Sequence, residues 1–242
     1  MKADVWQQHS LAKLAELDAE LSRLAHRGTH LSEQQRYDAV HAEYQAATDR
    51  AAVLQIAIDD VDGQVTRLES EIDGVRQRED RDRGLLSAAT TSSKQLTELQ
   101  HELGTLERRQ SSLEDSLLEI MERREELAGQ QSGDAAEIAR LEGELATARQ
   151  ERDAALTEVD QARVERTERR AGLAAELDAN LLAAYERQRT ATGIGAGLLQ
   201  GRRCGACRIE IDHGEMSRIA AAAEDEVLRC PECNTILLRV QV

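Results

Sequence analysis

Long stretches of the chain repeat apolar residues in alternating steps of three and four, the spacing of one helix face. The clearest run has no missing member: Leu54, Ile58, Val61, Val65, Leu68, Ile72 and Val75. An earlier run consists of Leu14, Leu17, Leu21 and Leu24. A sustained repeat of about 3.5 residues presents an apolar seam to a partner helix. The pattern therefore predicts long coiled-coil helices, with a new helix starting at Ser32.

The repeat lapses between residues 84 and 94, where small, polar and β-branched residues make a poor helix centre. A second seam follows this lapse: Leu99, Leu103, Leu106, Leu113, Leu117, Ile120 and Leu127, and later Leu141, Leu145, Leu156, Val159, Leu173, Leu177 and Leu181. Two arms around one turn predict an antiparallel helical hairpin over residues 1–190, with its tip near 84–94. A parallel dimer of straight helices is the alternative, and it leaves the lapse unexplained.

Composition agrees with a helical rather than an aromatic-packed protein. Aromatic residues are 2%, Phe is absent, and charged residues reach 32%, which is typical of coiled coils. The net charge of −15 disfavours nucleic-acid binding along the full length, because phosphate contacts require basic surfaces. No stretch approaches the ~20 apolar residues of a membrane helix, and the first residues lack a signal-peptide core. We therefore expect a cytoplasmic protein without a membrane partner.

After the second arm the composition changes to a glycine-rich stretch, and residues 191–203 read as a linker. Gly193, Gly195 and Gly197 within it superficially match a dinucleotide-binding loop. That loop needs a strand before it and a helix after it, whereas here a long helix precedes and cysteines follow. We expect no nucleotide site and no small-molecule substrate.

All four cysteines lie in the last part of the chain, in two matched Cys-x2-Cys pairs. Cys204 and Cys207 form the first pair, and Cys230 and Cys233 form the second pair 22 residues later. Two such turns can direct four thiolates at one ion, which is the closed tetrahedral shell of structural zinc. So small a segment, with few large side chains, needs the folding energy that a metal supplies. The spacing predicts one structural Zn²⁺ in a zinc ribbon over residues 204–242.

Other chemistries fit the cysteines less well. Disulfides are disfavoured in a reducing cytoplasm, redox Cys-x2-Cys pairs belong to a βαβ setting that is missing here, and rubredoxin-like iron sites need aromatics that this segment lacks. The flanks predict short strands at Ile209 and Ile211 and at Ile236, Leu238 and Val240, with a helix or turn at 214–226. No other group of residues suggests catalysis, so we expect a protein that is not an enzyme.

The coiled coil together with the motifs CGAC and CPEC resembles the bacterial C4-type zinc-ribbon coiled-coil protein family. The resemblance spans most of the chain, and it is strongest at residues 94–103, at 182–187 and at both cysteine turns. It implies a helical hairpin followed by a compact ribbon, and a non-enzymatic, chaperone-like or adaptor role in binding partner proteins. It also implies nucleic-acid contact through the ribbon. Asn234 stands where the family usually has a glycine.

Two functions remain open at this point. The first is an adaptor that binds partner proteins, favoured by the acidic helices. The second is an RNA- or DNA-binding regulator that uses arginines near the ribbon: Arg187, Arg189, Arg202, Arg203 and Arg208. Residues 201–242 hold six arginines against seven acidic residues, so the local field is weak. We favour protein binding.

Overall fold

The computed structural model describes residues 1–87 and 92–239. Its helices are α1 (Val5–Thr29), α2 (Ser32–Leu86), α3 (Ser93–Glu176), α4 (Ala179–Thr192) and α5 (His213–Ala221). Its strands are β1 (Ala196–Gln200), β2 (Arg203–Cys204), β3 (Leu228–Arg229) and β4 (Ile236–Leu238). Residues 88–91 of the predicted tip and Val240 of the predicted last strand lie outside the described residues.

The chain divides into two compact units. The hairpin unit consists of residues 35–149, and the ribbon unit consists of residues 1–34 together with the chain from residue 150 onward. In the hairpin unit, side-chain hydrogen bonds join α2 to α3. Residues further along α2 bond to residues that come earlier in α3. These pairs are Arg50 with Glu137, Asp62 with Arg124, and Arg76 with Glu114. This order confirms the predicted antiparallel hairpin.

The seam of the hairpin unit follows the predicted repeat and then extends beyond it. Its buried apolar members include Ile58, Val61, Ile72, Val75, Leu103, Leu106 and Leu141. On α2 the next two seam positions carry Glu79 and Asp82, which are 3% and 8% exposed. One oxygen of each carboxylate is buried without a hydrogen-bond partner. The seam therefore continues through two acidic residues, which a search for apolar residues does not detect.

The two long helices both begin at or just after a serine. α2 begins at Ser32, as predicted, and the Ser32 hydroxyl donates to the Glu33 carboxylate at 3.0 Å. Ahead of α3, Ser92 and Gln95 exchange hydrogen bonds: the Ser92 N–H donates to Gln95 Oε1, and the Gln95 N–H donates to Ser92 Oγ. This reciprocal capping box satisfies donors that a helix start leaves free and separates α3 from the residues of the tip.

In the ribbon unit, α1 packs against the part of α3 that follows residue 150 and against α4. The predicted seam position Leu156 is wrong, because Leu156 is 37% exposed whereas Ala155 beside it is 8% exposed. Ala155 and Val159 pack with Leu31 in a small buried cluster. An alanine carries little apolar surface and is not conspicuous in a repeat of leucines. The seam was therefore assigned to its larger neighbour Leu156.

The predicted second arm is broken between Glu176 and Ala179. Asp178 caps the new helix α4 by accepting from the N–H groups of Asn180 and Leu181. Gln7 of α1 fills the gap from the other side: its Nε2 donates to the Glu176 carbonyl, and its Oε1 accepts from the Asp178 N–H. Two of the backbone groups freed by the break are thereby satisfied, and α1 is fixed to the junction.

The strands form one sheet in the order β2-β1-β4-β3, with β1 parallel to β4 and the other pairs antiparallel. The linker predicted at 191–203 needs correction, because α4 extends to Thr192 and residues 196–200 form the central strand β1. The predicted strand at Ile209 and Ile211 is reduced to one bridge at Glu210. The strand predicted at Ile236 and Leu238 is β4, and the helix or turn predicted at 214–226 contains most of α5.

Candidate metal centre

The two cysteine turns have the same backbone geometry. In the first, the Arg208 N–H donates to the Cys204 carbonyl at 2.8 Å, and in the second the Asn234 N–H donates to the Cys230 carbonyl at 2.9 Å. Arg208 and Asn234 both adopt the left-handed conformation, with φ of 63° and 59°. A glycine adopts this conformation without strain, and asparagine tolerates it better than most residues. The repeated geometry directs both pairs of thiols toward one point.

The four sulfurs are close enough to share one ion. All four Sγ atoms lie within 4.8 Å of one another. Cys204 and Cys233 are 3.9 Å apart, as are Cys207 and Cys230. A tetrahedral zinc ion with Zn–S bonds of about 2.3 Å places its sulfurs about 3.8 Å apart. The cysteines are free rather than disulfide-bonded, so their number, donor type and spacing all fit a zinc ion.

Burial and hydrogen bonding shift the pKa values of the cysteine thiols in opposite directions. Cys204 and Cys230 are almost fully buried, and this burial raises the pKa of Cys204 to about 12 and raises the pKa of Cys230 as well. Burial also opposes ionisation of Cys233, but hydrogen bonding with Thr235, 3.3 Å away, lowers its pKa to about 7. A cation among the sulfurs would favour the thiolates.

Glycines let the first turn lie directly on the sheet. A Cβ at Gly197 would lie 2.7 Å from the Ala206 nitrogen, and a Cβ at Gly205 would lie 2.6 Å from the Leu198 oxygen. At Gly195 a Cβ would lie 2.4 Å from the ring of Tyr185. The motif that superficially matches a nucleotide loop therefore serves close packing of β1 between α4 and the first cysteine turn.

The centre is held from two sides by buried apolar residues. One cluster surrounds the cysteines and includes Ile211, Ile219 and Leu237. A second cluster joins the other face of the sheet to the helices: Ala3, Leu11, Ala12, Leu14, Leu177, Leu181, Ala184, Tyr185, Ala196, Ile236 and Leu238. The ribbon is therefore packed against α1 and α4 rather than separated from them by a linker.

The predicted arginines fall into two groups. Arg202, Arg203 and Arg208 are exposed on the ribbon, where Arg202 lies 3.6 Å from the Glu210 carboxylate, and Arg187 is exposed on α4. Arg189 instead forms ion pairs with Asp18 and Glu186. Its charge is balanced within the fold, which makes it a poorer candidate for a ligand contact than the other four.

Sequence reasoning missed several residues that support the centre. Gln188 Nε2 donates to the Cys233 carbonyl at 3.3 Å, which ties α4 to the second cysteine turn. The side chain of Arg239 donates to three carbonyls around the end of α5: those of Ile219, Ala222 and Ala223. A lone glutamine or arginine carries no signal in one sequence. In this region the sequence showed only the two glycines Gly195 and Gly197, and they were interpreted as part of a linker.

Comparison with known sequences agrees with this architecture. The family model for the CT398-like coiled coil hairpin domain matches residues 14–193, and the model for the C4-type zinc ribbon domain matches residues 203–237. The protein Rv2229c of Mycobacterium tuberculosis (strain ATCC 25618 / H37Rv) is 58% identical over 241 residues, which cover 100% of this chain and 98% of that protein. ML1638 of Mycobacterium leprae (strain TN) is 48% identical over 225 residues, covering 93% and 97%.

Solved structures show the same fold. A protein from Mycobacterium smegmatis matches with a TM-score of 0.90 and 57% identity, covering 99% of this chain and 100% of that chain. CT398 from Chlamydia trachomatis matches with a TM-score of 0.71 and 16% identity, covering 96% of both chains. The second likeness concerns the fold alone. Among the helices of the described residues, none is both long enough and apolar enough to cross a membrane.

Proposed function

This chain belongs to the CT398-like coiled coil hairpin family, and we propose that it is a non-enzymatic cytoplasmic adaptor that binds partner proteins. In this proposal the hairpin unit supplies the binding surface. The ribbon holds one structural Zn²⁺ through Cys204, Cys207, Cys230 and Cys233. Four sulfur ligands complete a tetrahedral shell and leave no position for a substrate or a reactive water, which supports a structural rather than a catalytic ion.

The observation that carries the proposed protein binding is the pair of apolar patches exposed on the hairpin unit. Val53 and Ile56 on α2 are both 69% exposed, and Leu118 and Met121 on α3 are 60% and 50% exposed. Residues three apart lie on the same helix face, so each pair forms one patch. Val53 also lines a groove with Ala57. Apolar patches on an otherwise charged surface are typical of protein contacts.

A capture experiment with two patch variants tests the adaptor role. The wild-type chain, Val53→Ser/Ile56→Ser and Leu118→Ser/Met121→Ser are each immobilised and exposed to cytoplasm with and without nuclease treatment. We expect the wild type to retain defined proteins and one variant to lose them, with the other variant as its matched control. Circular dichroism checks that both variants remain helical. Retention that nuclease abolishes, or retention that neither variant changes, would contradict the proposed surface.

Substitution of the cysteines tests the proposed zinc. We expect Cys204→Ser and Cys230→Ser to lose about one zinc per chain by elemental analysis and to unfold the ribbon, because the metal supplies much of its folding energy. The seam of the hairpin unit should keep its protection from proteolysis. A ribbon that stays folded and protease-resistant in either variant would refute a structural zinc.

The second candidate function is binding of RNA or DNA by the ribbon. The observation that favours it is the exposure of Arg202, Arg203 and Arg208 within seven residues, and the net charge of −15 weighs against it. If the ribbon binds nucleic acid, Arg202→Glu/Arg203→Glu should abolish retention of a labelled oligonucleotide, and wild-type retention should fall steeply with salt. Retention that the double variant leaves unchanged would exclude these arginines.

A further inference from the structure

The first three residues pair with the loop at 225–227, which lies just ahead of β3 and the second cysteine turn. The Val227 N–H donates to the Met1 carbonyl at 3.0 Å, and the Ala3 N–H donates to the Asp225 carbonyl at 2.8 Å. These bonds form an antiparallel bridge centred on Lys2 and Glu226. We call Met1–Ala3 the latch segment. It lies more than 220 residues in sequence from the loop it joins.

The start of α1 strengthens this docking. Gln8 is 2% exposed, and its Nε2 donates to the Ala3 carbonyl at 3.0 Å and to the Glu224 carbonyl at 2.7 Å. One side chain thereby joins the latch segment to the loop on which it lies. Lys2 Nζ adds an ion pair with Asp225 at 2.8 Å, but solvent screens such an exposed pair, so its contribution is small.

The loop that receives the latch segment leads directly to the proposed metal. Val227 is followed by the two-residue strand β3 and then by Cys230. From the other side, Gln188 of α4 bonds to the Cys233 carbonyl. Strands of two and three residues contribute few hydrogen bonds of their own, so the position of this loop depends on the second cysteine turn, which follows it. At its start, Arg239 bonds to the Ala222 and Ala223 carbonyls.

We infer that metal at the four cysteines controls the docking of the latch segment. Loss of the metal loosens the second cysteine turn and β3, which releases Met1–Ala3 and uncovers the apolar face of α1 at Leu11 and Leu14. Both leucines are fully buried in the cluster that contains Ile236 and Leu238 of the ribbon. The chain is then a metal-sensitive switch. This inference rests on the proposed zinc site.

The release has a defined limit along α1. Asp18 is bonded to Arg170 of α3 and to Tyr185 of α4, and these bonds involve no ribbon residue. Leu31, just beyond the end of α1, packs with Val159 of α3. Gln7 likewise bonds to Glu176 and Asp178, outside the ribbon. We therefore expect metal loss to free Met1–Trp6 and to leave α1 from Gln7 onward in place.

Hydrogen exchange of the full-length, zinc-loaded protein tests the switch. Removal of zinc with a chelator, or the Cys204→Ser/Cys207→Ser substitution, should speed exchange at least tenfold in residues 1–6 and in the ribbon, including 224–233. Residues 17–31 should be unchanged, and added Zn²⁺ should restore protection after chelation. Trp6 is the only tryptophan and lies in the first turn of α1, so its fluorescence should change in parallel.

A matched pair of variants separates the latch from the metal. Gln8→Ala should speed exchange of residues 1–3 while zinc content stays at one per chain. His9→Ala, at a half-buried neighbour whose ring lies 2.9 Å from the Val5 carbonyl, should change neither. Faster exchange confined to 224–233 after zinc removal would overturn the latch and leave the zinc site intact. Faster exchange throughout residues 17–31 would overturn a local switch. Absence of zinc in the purified protein would refute the metal proposal itself.

Discussion

At the scale of single residues, Arg208 and Asn234 occupy equivalent places at the ends of the two cysteine turns. Both carry a positive φ, yet only asparagine is suited to that conformation. A left-handed residue with a Cβ costs about 1–2 kcal/mol relative to a glycine without strain. The first turn therefore contains more backbone strain than the second, although both hold their thiols in the same geometry.

Replacing Arg208 by glycine should relieve this strain. We expect Arg208→Gly to raise the free energy of unfolding of the zinc-loaded ribbon by about 0.5–1 kcal/mol, because the relief exceeds the extra chain entropy of glycine. Asn234→Gly should give a smaller change. Urea denaturation with zinc content as a second readout measures both. A destabilised Arg208→Gly variant would mean that the arginine side chain contributes a contact that outweighs its backbone strain.

A second residue-scale prediction concerns the close approach of β1 to the first cysteine turn. An alanine at Gly197 would place its Cβ 2.7 Å from the Ala206 backbone, so β1 and the turn must separate. We expect Gly197→Ala to destabilise the ribbon by about 1–3 kcal/mol and to weaken zinc binding in a competition titration. Gly172→Ala is the matched control, since a Cβ added there would lie within 4 Å of no described atom beyond its chain neighbours and its own helix backbone, and helical alanine is favourable. Equal zinc affinity in both variants would contradict this account.

At the scale of elements, the seam between α2 and α3 contains a weak segment. Glu79 and Asp82 occupy seam positions, each with one carboxylate oxygen buried and unpartnered, while α3 contributes Leu103 and Leu106 to the same seam. Burial of a charged group without full hydrogen bonding opposes folding. The hairpin unit is therefore less stable toward its tip than the apolar repeat alone would predict.

Leucine at these two positions should stabilise the hairpin unit. We expect Glu79→Leu and Asp82→Leu each to raise the free energy of unfolding by about 1 kcal/mol or more, through burial of apolar surface in place of a desolvated carboxylate. Glu69→Leu, at an exposed position of α2, should change it by less than about 0.5 kcal/mol. Hydrogen exchange of α2 reports the effect locally. Faster exchange in the seam variants would show that the carboxylates contribute net stability.

Periodicity was sufficient to predict the hairpin, and paired cysteine spacing was sufficient to predict the ribbon. Both signals are local and repeated. The misplaced seam residue Leu156 and the overlooked Glu79 arise because a pattern of large apolar residues ignores buried alanines and buried acids. The strand at 196–200 was read as a linker because glycine there serves close packing. Contacts such as Gln188 with Cys233 join distant segments through single side chains, which one sequence cannot reveal.

At the scale of the whole chain, one buried carboxylate joins three helices of the ribbon unit. Asp18 of α1 accepts from Arg170 Nε at 2.7 Å and from the Tyr185 hydroxyl at 2.7 Å, and Arg189 lies 3.3 Å away. Glu186 balances the two arginines. These residues are separated by up to about 170 positions, so the network fixes α1 against α3 and α4 where apolar packing alone would allow sliding.

Removing the phenol hydroxyl from this network should destabilise the protein. We expect Tyr185→Phe to lower the free energy of unfolding by about 1.5–3 kcal/mol, because it leaves a buried carboxylate without one of its donors. Tyr44→Phe is the control, since the Tyr44 hydroxyl reaches Glu142 only at 3.3 Å and on the surface; it should change stability by less than about 0.5 kcal/mol. A loss of similar size in both variants would refute a special role for the buried network.

The hydroxyl of Tyr185 also makes the free energy of unfolding depend on pH. Burial, followed by the hydrogen bond to Asp18, raises the pKa of Tyr185 well above the ordinary value of about 10. The neutral phenol therefore contributes stability that is fully present below about pH 10 and is lost as the pH rises toward its folded-state pKa. Wild-type stability measured by urea denaturation should fall above about pH 10, and Tyr185→Phe should lack this part of the fall. If the two proteins lose stability in parallel above that pH, the alkaline loss belongs to other groups and the hydroxyl ionises without consequence for the fold.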